Sequence, residues 1–132
     1  MSRRAAREFA FKTIFEIPFH DICDAGDIAL YNKNCNDGFS SESDRDYYDK
    51  AVNMCFENID DIDNKISEHL SGWKIERLSK VNLSILRLAL CEILYFDDIP
   101  YQVSINEAVE MAKKYGEDGA PNFINGVLAS II

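Results

Sequence analysis

The stretch LSILRLALCEILYF, residues 83–96, constrains the fold more than any other. Ile85, Leu86, Ala89, Ile93 and Leu94 recur at helical spacing, and Asp97-Asp98-Ile99-Pro100 closes the run. The run falls short of the ~20 apolar residues of a membrane span. It is therefore the most buried candidate helix of a packed helical core.

The rest of the chain supplies helices and almost no strand signal. Residues 3–17 carry Ala6, Phe9, Ala10, Thr13 and Ile17 on one face, and Pro18 stops them. A weaker helix is expected over 21–31, then an Asn-, Gly- and Ser-rich loop over 32–43. Tyr48, Val52, Cys55, Phe56 and Ile59 mark a helix over 44–59. Ile62, Ile66 and Leu70 mark another over 60–71, closed by Ser71-Gly72, and Trp73 opens a connector. Ser104-Ile105-Asn106-Glu107 has the capping-box pattern, with a helix running on to Tyr115 and Gly116 as its stop. Pro121 suits the first turn of a last helix bearing Phe123, Ile124, Val127, Leu128 and Ile131. The expectation is an all-α fold of about seven helices in a single domain over 1–132. Linkers at 32–43 and 97–103 suggest two packed helical halves, an N-terminal one over about 1–72 and a C-terminal one over about 73–132.

Few chemical classes fit these residues. The two histidines, His20 and His69, stand alone, and Cys23, Cys35, Cys55 and Cys91 form no CxxC pair. No metal-ligand spacing, Gly-rich phosphate loop or nucleophile–base constellation is visible. Glu107 and Glu110 are better explained by capping and a solvated helix face than as paired catalytic carboxylates. The expectation is a protein that is no enzyme and holds no metal or cofactor. With no cleavage signature and no spanning helix, a cytoplasmic location and no membrane association are expected.

The formal net charge is −9, which argues against broad nonspecific nucleic-acid binding. That charge is uneven. Residues 16–63 hold thirteen acids against Lys33, Arg45 and Lys50, whereas residues 1–15 hold Arg3, Arg4, Arg7 and Lys12 against Glu8 alone. Charge acts locally beyond the ~8 Å Debye length, so the first helix can be basic in its own right. On a wheel of about 100° per residue, Arg3, Arg4 and Arg7 share an arc with Phe11, Ile14 and Phe15. Arginines at a helix N-terminus oppose its macrodipole, so helix stability does not ask for them. They are either a frayed, solvated end or a phosphate contact. Phe11, Ile14 and Phe15 are either core or, if exposed, a docking patch that a partner or a homodimer would cover. Lys113 and Lys114 suit the end of a helix. Phe123 either stacks a base or starts an apolar face.

Three stretches resemble the NusB family of bacterial transcription antitermination factors. RRAAREFAFKTIFE (3–16) is similar to that family's RRxAR opening and the aromatic-rich helix that follows. VNLSILRLALCEILYFDDIPYQVSINEAVEMAKKYG (81–116) is similar to its ILRLAxxE helix, IP turn and INEAVELAKxYG helix. NFINGVL (122–128) is close to its FVNGVL. The chain departs at Ala5 and Leu83, where some members carry a basic residue, and at Asn82, where an acid is common.

The resemblance implies an all-α, non-catalytic protein that binds boxA RNA together with NusE, a small-subunit ribosomal protein. It implies entry into an antitermination complex on RNA polymerase that promotes ribosomal RNA transcription. It maps RNA contacts onto Arg3, Arg4 and Arg7 and onto the loop from Asp118 through Asn122 to Phe123. Phe15 and the segment from Glu76 to Asn82 are the candidate NusE surface. One alternative is a helical protein-binding adaptor with weakened RNA contact. Another is the regulatory RNA-binding domain of a ribosomal RNA methyltransferase, for which a long continuation beyond Ile132 would be expected.

Overall fold

A computed structural model describes residues 2–17, 39 and 41–132. Among them are six α-helices, one 3-10 turn and no strand. The helices are α1 (Arg3–Glu16), α2 (Glu42–Glu57), α3 (Ile59–Glu68), α4 (Lys80–Tyr95), α5 (Tyr101–Tyr115) and α6 (Ala120–Ile131), with the 3-10 turn at Ile75–Arg77 before α4. The expected weak helix over 21–31 and most of the loop over 32–43 lie outside the described residues, as do His20, Cys23 and Cys35.

Local chemistry explains the helix starts. The hydroxyls of Ser2, Ser41 and Ser79 accept from the backbone N–H groups of Ala5, Asp44 and Asn82, capping α1, α2 and α4. Each such cap is worth about 1 kcal/mol. Ser71 and Gly72 take left-handed backbone, which turns the chain out of the α3 region.

The apolar run of 83–96 becomes α4, and α4 packs against each of the other described α-helices. Ile85, Leu86, Leu88 and Leu90 are fully buried. One buried cluster joins residues from α1 to α6 around it. Leu94, expected on the buried face, is instead exposed. The last turn of α4 leaves the core there, and Phe96 just beyond it fills the inner position.

The first helix is buried on more than one side. It lies against α2 and α4, and α5 closes over its remaining flank. Phe11 and Ile14 are therefore core, with the Phe11 ring tilted against that of Tyr115 at 5.2 Å between centres. Phe9, expected on the core face, is half-buried against Phe39 and Tyr48. Of the apolar arc once open to a partner, only Phe15 remains partly exposed.

The capping box at Ser104 does not form. Helix α5 begins almost a turn earlier, at Tyr101, with Pro100 as its N-cap. Ser104 is therefore inside the helix and buried, and its hydroxyl donates to Glu92 Oε1 at 3.0 Å. Gly116 does end α5, but with φ −91° rather than left-handed backbone. Glycine is needed there for space: a Cβ would lie 2.7 Å from Ala120 Cβ and 2.8 Å from the Ala112 carbonyl oxygen. That contact lets α6 fold back directly on α5.

Candidate nucleic-acid and partner interface

Helix α1 sends its three arginines in three directions. Arg3 reaches α2, where Nε donates to Asp44 Oδ1 at 2.9 Å and Nη2 to the Ser43 hydroxyl at 3.0 Å. Its guanidinium also lies 4.8 Å from the Tyr47 ring centre. The Arg3 contact holds the Asp44 carboxyl below its usual pKa. Arg4 reaches α5, with Nε 3.2 Å from Glu107 Oε2. Its side chain is 64% exposed.

Arg7 turns inward. It is 4% exposed and donates to both Glu92 oxygens, at 2.8 and 3.2 Å. Its Nη1 also lies 3.5 Å from Glu107 Oε1. Burial alone would lower the Arg7 pKa; the hydrogen bonds and charge of Glu92 outweigh it and raise the value. In this conformation Arg7 is not an accessible cation. The helical wheel could not see this, because the carboxylate that draws Arg7 inward stands 85 positions away.

Glu92 is the residue that sequence reasoning passed over. It accepts from Arg7 of α1, Tyr47 of α2 and Ser104 of α5. Burial, and then the Glu92 charge, push the Tyr47 hydroxyl well above its ordinary pKa, so it stays a donor. The only sequence signal was an acid inside the most apolar run. A buried acid must be paired, so such a residue marks a convergence of helices. Arg87 does the same between α4 and α3, donating to both Asp63 oxygens at 2.9 and 2.8 Å.

On the α5 side, Glu8 accepts from Lys114 Nζ at 2.8 Å and from the Tyr115 hydroxyl. Burial would raise the Glu8 pKa; these two donors outweigh it and hold it below the usual carboxylate value. Lys113 pairs with Glu110 at 3.1 Å. Arg4, Arg7, Glu107 and Lys114 share a cleft of about 340 Å³ between α1 and α5.

The other candidates meet around the start of α4. Lys80 Nζ lies 4.7 Å from the Phe15 ring centre, so Phe15 of α1 and the Glu76–Asn82 segment form one surface. Glu76 is exposed on the 3-10 turn. Asn82 shares a cleft of about 200 Å³ with Trp73, Arg77, Leu78, Ser79 and Phe123. Phe123 thus faces the α4 start, and Trp73 beside it is 64% exposed. Asp118 and Asn122 are exposed, flanking Gly119, whose φ of 87° turns the chain into α6.

The NusB family model matches residues 4–132. The chain belongs to the NusB family. It is 42% identical over 132 residues to the transcription antitermination protein NusB of Alkaliphilus oremlandii, covering 100% of this chain and 94% of the relative. It is 41% identical over 131 residues to the protein of the same name from Bacillus subtilis, covering 99% and 95%. The fold superposes on T. maritima NusB with a TM-score of 0.83 and 32% identity, over 99% of this chain and 90% of that one. It also matches a chain from a crystal structure of the antitermination factors NusB and NusE with dsRNA. There the TM-score is 0.79 and the identity 27%, over 98% and 94%.

Among the described residues no group of His, Cys, Asp and Glu could hold a metal ion, and no helix is long and apolar enough to cross a membrane. Cys55 and Cys91 are buried free thiols, and burial pushes the Cys55 pKa up to about 12.

Proposed function

We propose that this chain is a non-enzymatic, cytoplasmic transcription antitermination factor that binds boxA RNA together with NusE and joins RNA polymerase during ribosomal RNA synthesis. The observation that carries this reading is the end-to-end likeness to a NusB chain solved with NusE and dsRNA. We treat residues 1–132 as one domain with α4 as the strut between its halves.

Arg3 and Arg4 are the phosphate contacts in this reading. Arg7 acts through them: anchored on Glu92, it fixes the start of α1 and steadies Glu107. Phe123 offers a ring for base stacking, and Asp118 and Asn122 flank it with polar groups. Phe15, Glu76 and Asn82 offer the NusE surface. Asn82 borders both regions, so RNA and protein would meet along one continuous edge. Recognition is then composite, with few contacts from each partner and cooperative assembly.

The test is fluorescence anisotropy with boxA RNA, with and without NusE. The Arg3→Ala/Arg4→Ala variant should bind RNA at least tenfold more weakly while still unfolding cooperatively, with only a small fall in melting temperature from the lost Arg3–Asp44 contact. Unchanged RNA binding by that variant removes the arginine site. The pairing of all three arginines with carboxylates favours the adaptor reading in one respect. NusE binding that RNA does not strengthen would decide for it. The methyltransferase reading has less support, since the relatives are named as antitermination proteins.

A further inference from the structure

Glu107 stands between two arginines, and the two contacts differ in kind. Its bonds to Arg4 are long: Nε and Nη2 each lie 3.3 Å from Oε1. The buried Arg7–Glu92 contact is 2.8 Å. Arg4 is largely in solvent, where an ion pair is weak. Glu107 is only 14% exposed and keeps Arg7 Nη1 at 3.5 Å on its other side. We propose that Glu107 is an internal competitor for the RNA phosphate bound by Arg4, so that the free protein holds its own phosphate site partly occupied. This inference rests on the RNA-binding reading above.

The chemistry of the exchange is simple. A phosphate offers Arg4 the same fork-shaped acceptor as a carboxylate, so it can take the place of Glu107. The released carboxylate is not stranded, because Arg7 still faces it. It stays charged, however, beside the incoming phosphate, and it recruits a counterion as RNA releases one. Both effects weaken RNA binding and flatten its salt dependence. An RNA that brings additional contacts, as one held jointly with a second protein would, overcomes this competitor. A loosely held RNA does not. The neighbouring Glu8 lines the same cleft one turn along α1, but its carboxylate is already engaged by Lys114 and Tyr115.

Glu107→Gln keeps the size and an acceptor oxygen but removes the charge. It should bind single-stranded boxA RNA about three- to tenfold tighter in anisotropy titrations, the size expected for one surface charge near contact. Its log–log salt slope should steepen by about 0.7, one phosphate's worth on a single strand. The gain should vanish in an Arg4→Ala background. Unchanged or weaker binding by a folded Glu107→Gln variant overturns the inference, and so does a gain that survives without Arg4. A second measurement needs no variant at this position. The Arg4 Nε–Hε resonance of the parent should shift on RNA titration as phosphate replaces carboxylate, and an unmoved resonance at saturating RNA also overturns it. If the parent binds no RNA even with NusE, the proposed function itself fails, which is a distinct result.

Discussion

At the scale of single residues, Glu92 holds the most elements together. Its carboxylate is nearly inaccessible and joins α1, α2 and α5 to α4. Removing one member of a buried pair leaves the other charge unpaired, at ~3–5 kcal/mol. Arg7→Ala should therefore destabilise the fold by about that much, read as a lower urea midpoint. Arg7→Met combined with Glu92→Gln should recover a large part of the loss, because the glutamine oxygen can accept from Tyr47 while its NH2 donates to the Ser104 hydroxyl, which turns from donor to acceptor. A loss of RNA binding in Arg7→Ala alone would thus report unfolding as much as a lost contact. Gly116 is the second such position. With a Cβ 2.7 Å from Ala120 Cβ, Gly116→Ala should cost ~1–3 kcal/mol by overpacking, measurable by the same urea unfolding. The type of residue at 116 was legible in the sequence; the reason was not, since close approach of α6 is a tertiary fact.

At the scale of elements, α1 is fastened along both flanks. Arg3 ties it to α2, while Glu8 ties it to α5 through Lys114 and Tyr115. Asp44 and Glu8 are both held below their unfolded pKa values. The folded state therefore binds fewer protons than the unfolded chain near those values. Their contribution is present in full above about pH 4.3 and is lost as pH falls through the lowered folded values. Thermal melts should show stability dropping below about pH 4, with a smaller drop in Glu8→Gln. The existence of each described α-helix was readable, because periodic apolar residues act locally, whereas the 3-10 turn at Ile75–Arg77 and the caps at Ser2, Ser41 and Ser79 were not read. Nor was the start of α5. Ser104 carries a capping pattern, but a buried acceptor on α4 competes for its hydroxyl, and the tertiary hydrogen bond prevails.

At the scale of the whole molecule, in a chain of net charge −9, Arg3, Arg4 and Lys114 beside α1 are each paired with a carboxylate of the same chain. Few phosphates can be neutralised by them, so the log–log salt slope for boxA binding should be shallow, about −1 to −3. A slope steeper than about −6 would require a wider basic face than these helices present. Local pattern determined the all-α class, the central position of residues 83–96, the caps of α1, α2 and α4 and the basic character of α1. Those follow from periodicity, hydrophobicity and short-range hydrogen bonding, which neighbours along the chain carry by themselves. Only the tertiary structure decided that Phe11 and Ile14 are core, that Phe15 and Phe123 each face the start of α4, and that Arg3, Arg4 and Arg7 part company. An arginine goes to the carboxylate that packing brings within reach, and Asp44, Glu107 and Glu92 come within reach only once α2, α4 and α5 have closed around α1.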